Sequence, residues 1–369
     1  MERQPRITLS IGSQRWVDWN VENTMEPDIG EELLENFRQR TRNMTLILRP
    51  GDRLSHYADR HGIPHLALPP ELYQSHSVLK QRFRDDTWAR NDSLVEWIRR
   101  YEATAPDLGL VFLGETWIPP RIFRIPKHGF WNFHPGPLPH WGGYLPEFMM
   151  LLNDEKEARG TLHRVDDDFD HGAILAYTQE LRIPEFAVPH QLMRDICRLG
   201  FDTLNDCIDK MRAGPLEPIF PPGQPRENAS MQRANREARI HWPTDTHRKI
   251  DCRLRVFRSY AFEPNSPVHP LHASIDGTDR DVADIECVRA SEIPGPWLRA
   301  VPGETLGCYR GNGPFMHAPI LRTSEGLAVV LLETIERSGI SRSAPIVPGP
   351  RPRQTNRADL SRSLRLALS

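Results

Sequence analysis

Residues 129–143, GFWNFHPGPLPHWGG, change character in the middle of a short run. Gly129–Phe133 is aromatic-rich and reads as a strand, whereas the HPGPLPHWGG that follows is too rich in Pro and Gly for helix or sheet. Side chains alternate across a strand, so Asn132 and His134 are expected on the same side, at the strand's end and facing whatever the turn encloses. A second stretch, GTLHRVDDDFDHGAIL at 160–175, reads as a strand over Gly160–Arg164, an acidic turn DDDFDHG, and a returning strand over Ala173–Leu181.

Upstream of these two stretches the chain alternates. Ile7–Ile11, Thr45–Leu48, His65–Leu68 and Leu108–Leu113 have strand length and aliphatic character. Charged segments of helical period separate them: Gly30–Arg40, Arg53–His61 and a long one from Ser77 to Tyr101, with Leu79, Phe83, Trp88, Leu94 and Ile98 toward one face. Strand–helix alternation predicts a mostly parallel sheet that binds ligands at the carboxyl ends of its strands. His190–Met211 has the spacing of an amphipathic helix.

GPLEPIFPPGQPRENAS, from Gly214 to Ser230, has linker composition. Beyond it, a helix around Asp245–Ser259 precedes short runs broken by Gly and Pro, which suggests a small β-barrel or sandwich. The expected organisation is a catalytic domain at 1–212, a linker at 213–235, a β-rich domain at 236–340 and a weakly ordered tail at 341–369.

Composition narrows the function classes. The 369 residues suit two domains, and 38% hydrophobic with 26% charged residues is a globular composition. A formal charge of −2 makes no electrostatic case for a polyanion partner or an anionic membrane. No run approaches the ~18 apolar residues of a membrane span, and the polar start MERQPRITLSIG does not read as a signal peptide. Five scattered cysteines without a CxxC pair argue against a disulfide framework or a structural zinc site, so a cytoplasmic setting is expected.

Familiar nucleotide and hydrolase fingerprints are missing: there is no GxGxxG after a strand, no GxxxxGK[ST] and no GxSxG. The alternating Asp166, Asp168 and Asp170 suggest a calcium loop, but His171 stands where that loop needs Gly and Tyr177 where it needs Glu. His134, His163 and His171 match no zinc spacing, so no metal is expected. What remains is Asn132, His134 and Asp170. An amide donor, an imidazole and a carboxylate in one crevice can stabilise an oxyanion, move a proton and orient the imidazole. Taken singly, each also fits a bland role as turn former, strand-end cap or loop acid.

These residues carry a resemblance. Asn132-x-His134-Pro135, Leu138-Pro139, Gly143, and a strand ending in a turn with Asp170-x-Gly172 resemble the folate-dependent formyltransferase family. That family includes methionyl-tRNA, glycinamide-ribonucleotide, amino-sugar and hydroxyornithine formyltransferases and formyltetrahydrofolate deformylases. The likeness covers residues 1 to about 210, and extends more weakly to 240–336. It implies a Rossmann-like α/β formyltransferase domain with a mostly parallel sheet, followed by a small β-rich C-terminal domain. It implies 10-formyltetrahydrofolate as donor, with the pterin held by backbone groups at Thr116, Trp117 and Ile118 and at Val165, Asp166, Asp167 and Asp168. By the same resemblance Asn132, His134 and Asp170 are the catalytic trio, with His134 either base or electrophile. Trp141, Tyr144 and Glu147 flank the acceptor side, where packing roles are equally open.

Methionyl-tRNA formyltransferases typically carry Arg-Gly where this chain has Gly142-Gly143, and Ser13–Asp28 is not notably basic. A small-molecule amine is therefore the expected acceptor. Initiator tRNA, hydrolysis of the donor by water, and a non-catalytic folate-binding protein are the alternatives. Oligomeric state is not legible.

Overall fold

Short aliphatic runs form the first sheet in the computed structural model, which describes residues 4–11, 29–41, 43–51, 53–73, 76–114, 117–221, 229–258, 269–292, 295–308 and 318–332. Its strands are β1 (Ile7–Ile11), β2 (Met44–Leu48), β3 (His65–Ala67), β4 (Leu108–Phe112), β5 (Phe130–His134), β6 (Thr161–Arg164) and β7 (Ile174–Tyr177). They lie in the order β3-β2-β1-β4-β5-β6-β7. The first five are mutually parallel; β6 pairs antiparallel with β5, and β7 antiparallel with β6. β5 is therefore the last strand paired in parallel, beyond which the sheet reverses sense at β6.

Helices cover this sheet: α1 (Ile29–Arg40), α2 (Arg53–His61), α3 (His76–Arg84), α4 (Asp92–Ala103), α5 (Pro120–Phe123), α6 (Pro146–Leu152) and α7 (Pro189–Ala213). All five residues of β4, LGLVF, are buried, as a strand covered on both faces requires. Leu94, Trp97, Ile98 and Tyr101 of α4 pack with Ile47, Leu66, Val111 and Phe130 in one cluster. Phe112 stacks on Phe133 at 5.0 Å and meets Phe201 of α7 at 5.5 Å. Each such buried side chain contributes about 1.5–3 kcal/mol.

The long helix expected over Ser77–Tyr101 is broken. α3 ends at Arg84, a 3₁₀ turn covers Thr87–Arg90, and α4 starts afresh at Asp92. Asp86 takes the left-handed conformation at φ 50°, which an α-helix cannot pass through. Asn91 then caps α4, its side-chain oxygen accepting from the Leu94 N–H at 2.8 Å. Asp and Asn favour such local bonds over continued helix, which outweighs the apolar period.

The chain divides into two compact units. The first comprises Met1–Met150, Glu155–Pro184 and His190–Ala229; the second comprises Leu151–Asp154, Glu185–Pro189 and Ser230–Ser369. The second unit holds α8 (Met231–Arg236), α9 (His247–Arg258) and a sheet of β8 (Arg239–Ile240), β9 (His272–Ile275), β10 (Thr278–Arg289), β11 (Thr305–Cys308), β12 (Pro319–Arg322) and β13 (Gly326–Leu332). Its order is β8-β9-β10-β13-β12-β11. The β9–β10 hairpin turns on Asp276-Gly277, with φ of 50° and 75°, the two left-handed residues that match the twist of the strands.

Part of the Gly214–Ser230 stretch is more than linker. The Ile219 N–H donates to the Ile174 carbonyl at 2.7 Å, and the Ala229 N–H to the Gly142 carbonyl at 2.8 Å. Residues 222–228, the Ser13–Asp28 segment and the tail lie outside the described residues.

Candidate active site

Strand β5 places Asn132 and His134 on the same side, while Trp131 and Phe133 are buried beneath. Because β6 pairs antiparallel with β5, His163 falls directly opposite Asn132. Cross-strand partners have Cβ atoms about 5 Å apart, close enough for their side chains to meet. The Asn132 Nδ2 lies 3.0 Å from His163 Nε2. The acidic turn after β6 then returns Asp170 to the same spot, at φ 57°.

Gly172 makes that return feasible, since a Cβ there would lie 1.7 Å from the Arg164 carbonyl oxygen. The Pro-rich turn is fixed from the other side. The Leu138 N–H donates to Thr161 Oγ1 at 3.0 Å, and the Thr161 hydroxyl donates to the Gly136 carbonyl at 2.6 Å. The Tyr177 hydroxyl donates to the Leu138 carbonyl at 2.7 Å.

Asp170 is the hub. Its Oδ2 accepts from the Gly143 N–H at 2.7 Å and lies 3.6 Å from His134 Nδ1. Its Oδ1 lies 3.4 Å from both His163 Nε2 and Asn132 Nδ2. The carboxyl is buried, and burial alone would push its pKa up; His134, His163 and the Gly143 N–H outweigh that and hold it well below the usual carboxylate range. Asp170 is an anion in this site.

The neighbours also assign ring protons. His134 Nε2 lies 2.9 Å from the Trp141 carbonyl, which can only accept, so the proton sits there. Its other nitrogen faces the Asp170 carboxylate. His163 Nδ1 lies 2.8 Å from the Arg164 carbonyl and carries its proton there, leaving Nε2 to accept from Asn132.

Trp117 is buried and its indole N–H donates to the Asp167 carbonyl at 3.3 Å, joining the turn after β4 to the acidic loop. Ile118 and Val165 pack against the α4 cluster. The Asp168 N–H is taken by the Asp166 side chain at 3.1 Å and the Val165 N–H by the Phe130 carbonyl at 2.8 Å. Thr116 lies outside the described residues. On the other side, Trp141 and Glu147 are buried and Tyr144 is exposed. Among the described residues, no group of three His, Cys, Asp or Glu side chains is arranged to hold a metal ion, and no helix is long and apolar enough to cross a membrane.

Residues 30–196 match the model of the formyl transferase family. By this match the segment is similar to formyl transferase domains. It is 30% identical over 157 residues to a methionyl-tRNA formyltransferase of Stenotrophomonas maltophilia, covering 42% of this chain and 49% of that one. The chain spans about half the length of the curated relatives it matches. In fold it is similar to the Helicobacter canadensis N-formyltransferase solved with folinic acid and dTDP-3-aminofucose, at TM-score 0.53 and 15% identity over 89% of this chain and 100% of that one. A 4-N formyltransferase of Francisella tularensis gives a TM-score of 0.51 at 14% identity, over 76% and 98% of the two chains. Within the matched segment Asn132 and His134 each reach Asp170. His163 and the Gly143 N–H join them unforeseen; the one signal for His163 was a histidine in the strand leading into the acidic turn.

Proposed function

We propose that the chain is an N-formyltransferase that moves a formyl group from 10-formyltetrahydrofolate to the amine of a small molecule, an amino-sugar nucleotide or an amino-acid-derived metabolite. The observation that carries this reading is the convergence of Asn132 and His134 on an ionised Asp170, at 3.4 Å and 3.6 Å. The family match of residues 30–196 supports it. The donor supplies a formyl carbon open to attack by an amine; the chain's residues supply charge stabilisation and a route for the proton.

The Asn132 amide nitrogen gives one hydrogen to His163 and points the other at Asp170 across a long 3.4 Å. A developing oxyanion offers a better acceptor, so that bond can be exchanged for a shorter one as charge builds. His134 sits between the Trp141 carbonyl and the Asp170 carboxylate, from where a ring nitrogen can turn to the developing oxyanion or take a proton. The proton released by the amine goes to His134 or to a water held by Asp170, and passes to the folate nitrogen as its bond to the formyl carbon breaks, leaving tetrahydrofolate and the N-formyl product. Trp117, Ile118 and residues 165–168 form the donor side and Tyr144 the acceptor side.

A small acceptor is also supported by the second unit. α9 is rich in cations, but they are engaged inside that unit: Arg248 with Asp154, Lys249 with Asp245, Arg253 with Asp245 and Glu237, Arg255 with Asp251, and Arg258 with Asp284. Of these, Arg253 at 3% and Arg255 at 18% exposure are withdrawn from a phosphate backbone, whereas Arg248 and Lys249 stay exposed. The methionyl-tRNA formyltransferases among the relatives keep initiator tRNA as the second reading.

The test is tetrahydrofolate release from 10-formyltetrahydrofolate with a panel of amino-sugar nucleotides, amino acids, hydroxyornithine and initiator tRNA. Turnover that needs a small amine supports the proposal; tRNA-dependent turnover selects the second reading. Formate release without an amine identifies a hydrolase, and binding without turnover a folate carrier. Asn132→Ala is expected to cut turnover about 10²–10³-fold while donor binding persists, and wild-type turnover in this variant overturns the assignment.

A further inference from the structure

Helix α3 does little for the core. Leu79 is its one fully buried residue, and α4 already covers that face of the sheet between β3 and β4. Its polar side chains instead meet the acidic loop that ends at Asp170. Lys80 forms an ion pair with Asp168. The His76 ring lies 5.2 Å from Trp117 and 5.0 Å from Phe169, edge-on to the latter. Trp117 is itself bonded to the Asp167 carbonyl. Three successive residues, Asp167, Asp168 and Phe169, are therefore each held by a side chain from outside the loop.

We propose that α3 is a clasp for the donor side of the site, with Lys80 and His76 acting as positioning residues that hold the 165–170 loop in its ligand-binding shape. This rests on the donor reading given above. A pterin is a flat bicycle with a polar edge, and a site for it needs apolar walls and peptide groups fixed in direction. Trp117, His76 and Phe169 supply aromatic surface, and the loop supplies the peptide groups. Phe169 is 42% exposed and Asp170 holds a left-handed φ, so the loop's shape needs contacts beyond its own turn. Burial and the nearby Lys80 lower the pKa of His76, which keeps the ring neutral and suited to packing against aromatic faces. Lys80 lowers the pKa of Asp168 and holds it as the anion that the ion pair requires.

The clasp is tested on the full chain by titrating folinic acid against Trp fluorescence, with Lys80→Ala, Lys80→Arg, Asp168→Asn and the double variant Lys80→Ala/Asp168→Asn. Lys80→Ala and Asp168→Asn are each expected to weaken binding about two- to fivefold, a partly exposed ion pair's worth. The double variant should be no weaker than either single one, and Lys80→Arg should restore most of the affinity. In turnover assays the rise in donor KM should exceed any change in kcat, and amide exchange over 165–170 should quicken in Lys80→Ala. If Asp168→Asn binds as tightly as the wild type while Lys80→Ala does not, Lys80 touches the ligand itself and the clasp is wrong. Equal binding by all variants also overturns it. A wild-type chain that binds no folinic acid defeats the donor reading instead, and the clasp falls with it.

Discussion

Asp245 of the second unit and Asp170 of the first, both with buried carboxyl groups, are neutralised in opposite ways. In the second unit Asp245 is fully buried, and its Oδ2 receives Arg253 Nη1 at 2.5 Å and the His241 N–H at 2.8 Å. The same guanidinium reaches the Arg239 carbonyl at 2.8 Å and Glu237 at 2.5 Å. In the first unit Asp170 is held by two imidazoles and an amide at 3.4–3.6 Å, with one short bond, from Gly143. A guanidinium never gives up its proton and locks its partner at short range. Imidazoles exchange protons near neutral pH, and bonds of 3.4 Å leave room to rearrange. The first arrangement suits a permanent joint. The second suits a group whose partners must change during a reaction.

The largest expected effect tests that division directly. Arg253→Met leaves Asp245 buried without its counter-ion and is expected to cost the second unit about 3–5 kcal/mol. Asp170→Asn keeps the shape and the oxygen that accepts from Gly143, so the first unit should stay folded while turnover falls about 10²–10⁴-fold. Denaturant unfolding and single-turnover kinetics on both variants check this. If Asp170→Asn unfolds the protein as readily as Arg253→Met, the two carboxylates are doing the same job and the contrast fails.

A smaller, pH-dependent effect follows from Asp170 alone. Its pKa in the folded chain lies below the ordinary 3.8. A depressed carboxylate contributes stability that is fully present above its unfolded pKa and is lost as pH falls through the folded value. The stability difference between wild type and Asp170→Asn should therefore hold steady down to about pH 5 and close below about pH 4. Denaturant midpoints across that range measure it. A difference that already changes well above pH 5 would mean that the ionisation of Asp170 does not set it.

How much of this was legible follows the same divide between local and long-range order. Asn132 and His134 were readable because alternation along a single strand puts them together, and Asp170 because the acidic turn carries the Asp-x-Gly that resembles the family's pattern. His163 was not. Its place opposite Asn132 depends on the antiparallel register of β5 and β6, which spacing along the chain does not reveal. Nor did Trp141 show that its carbonyl would fix His134, since a backbone group has no residue code. In the fold, the sheet and its helices followed from periodicity, whereas the break between α3 and α4 turned on Asp86 and Asn91, whose local bonding competes with an apolar stripe.

The smallest effect sharpens the account of Asp245. Lys249 Nζ also lies within ion-pair range of it, 3.1 Å from Oδ1, yet that oxygen has no hydrogen-bonding partner in good alignment and the lysine is 47% exposed. An exposed ammonium trades water for the carboxylate at little gain and must be held still to do so, so Lys249→Met is expected to cost less than about 1 kcal/mol. Arg253→Met removes a charge from the same carboxylate, but a buried one with three acceptors around it. Comparing the two variants by urea unfolding isolates burial from charge. A cost for Lys249→Met close to that of Arg253→Met would mean that net charge near Asp245 decides stability. A cost within error of zero would mean that the forked, desolvated guanidinium neutralises the carboxylate by itself.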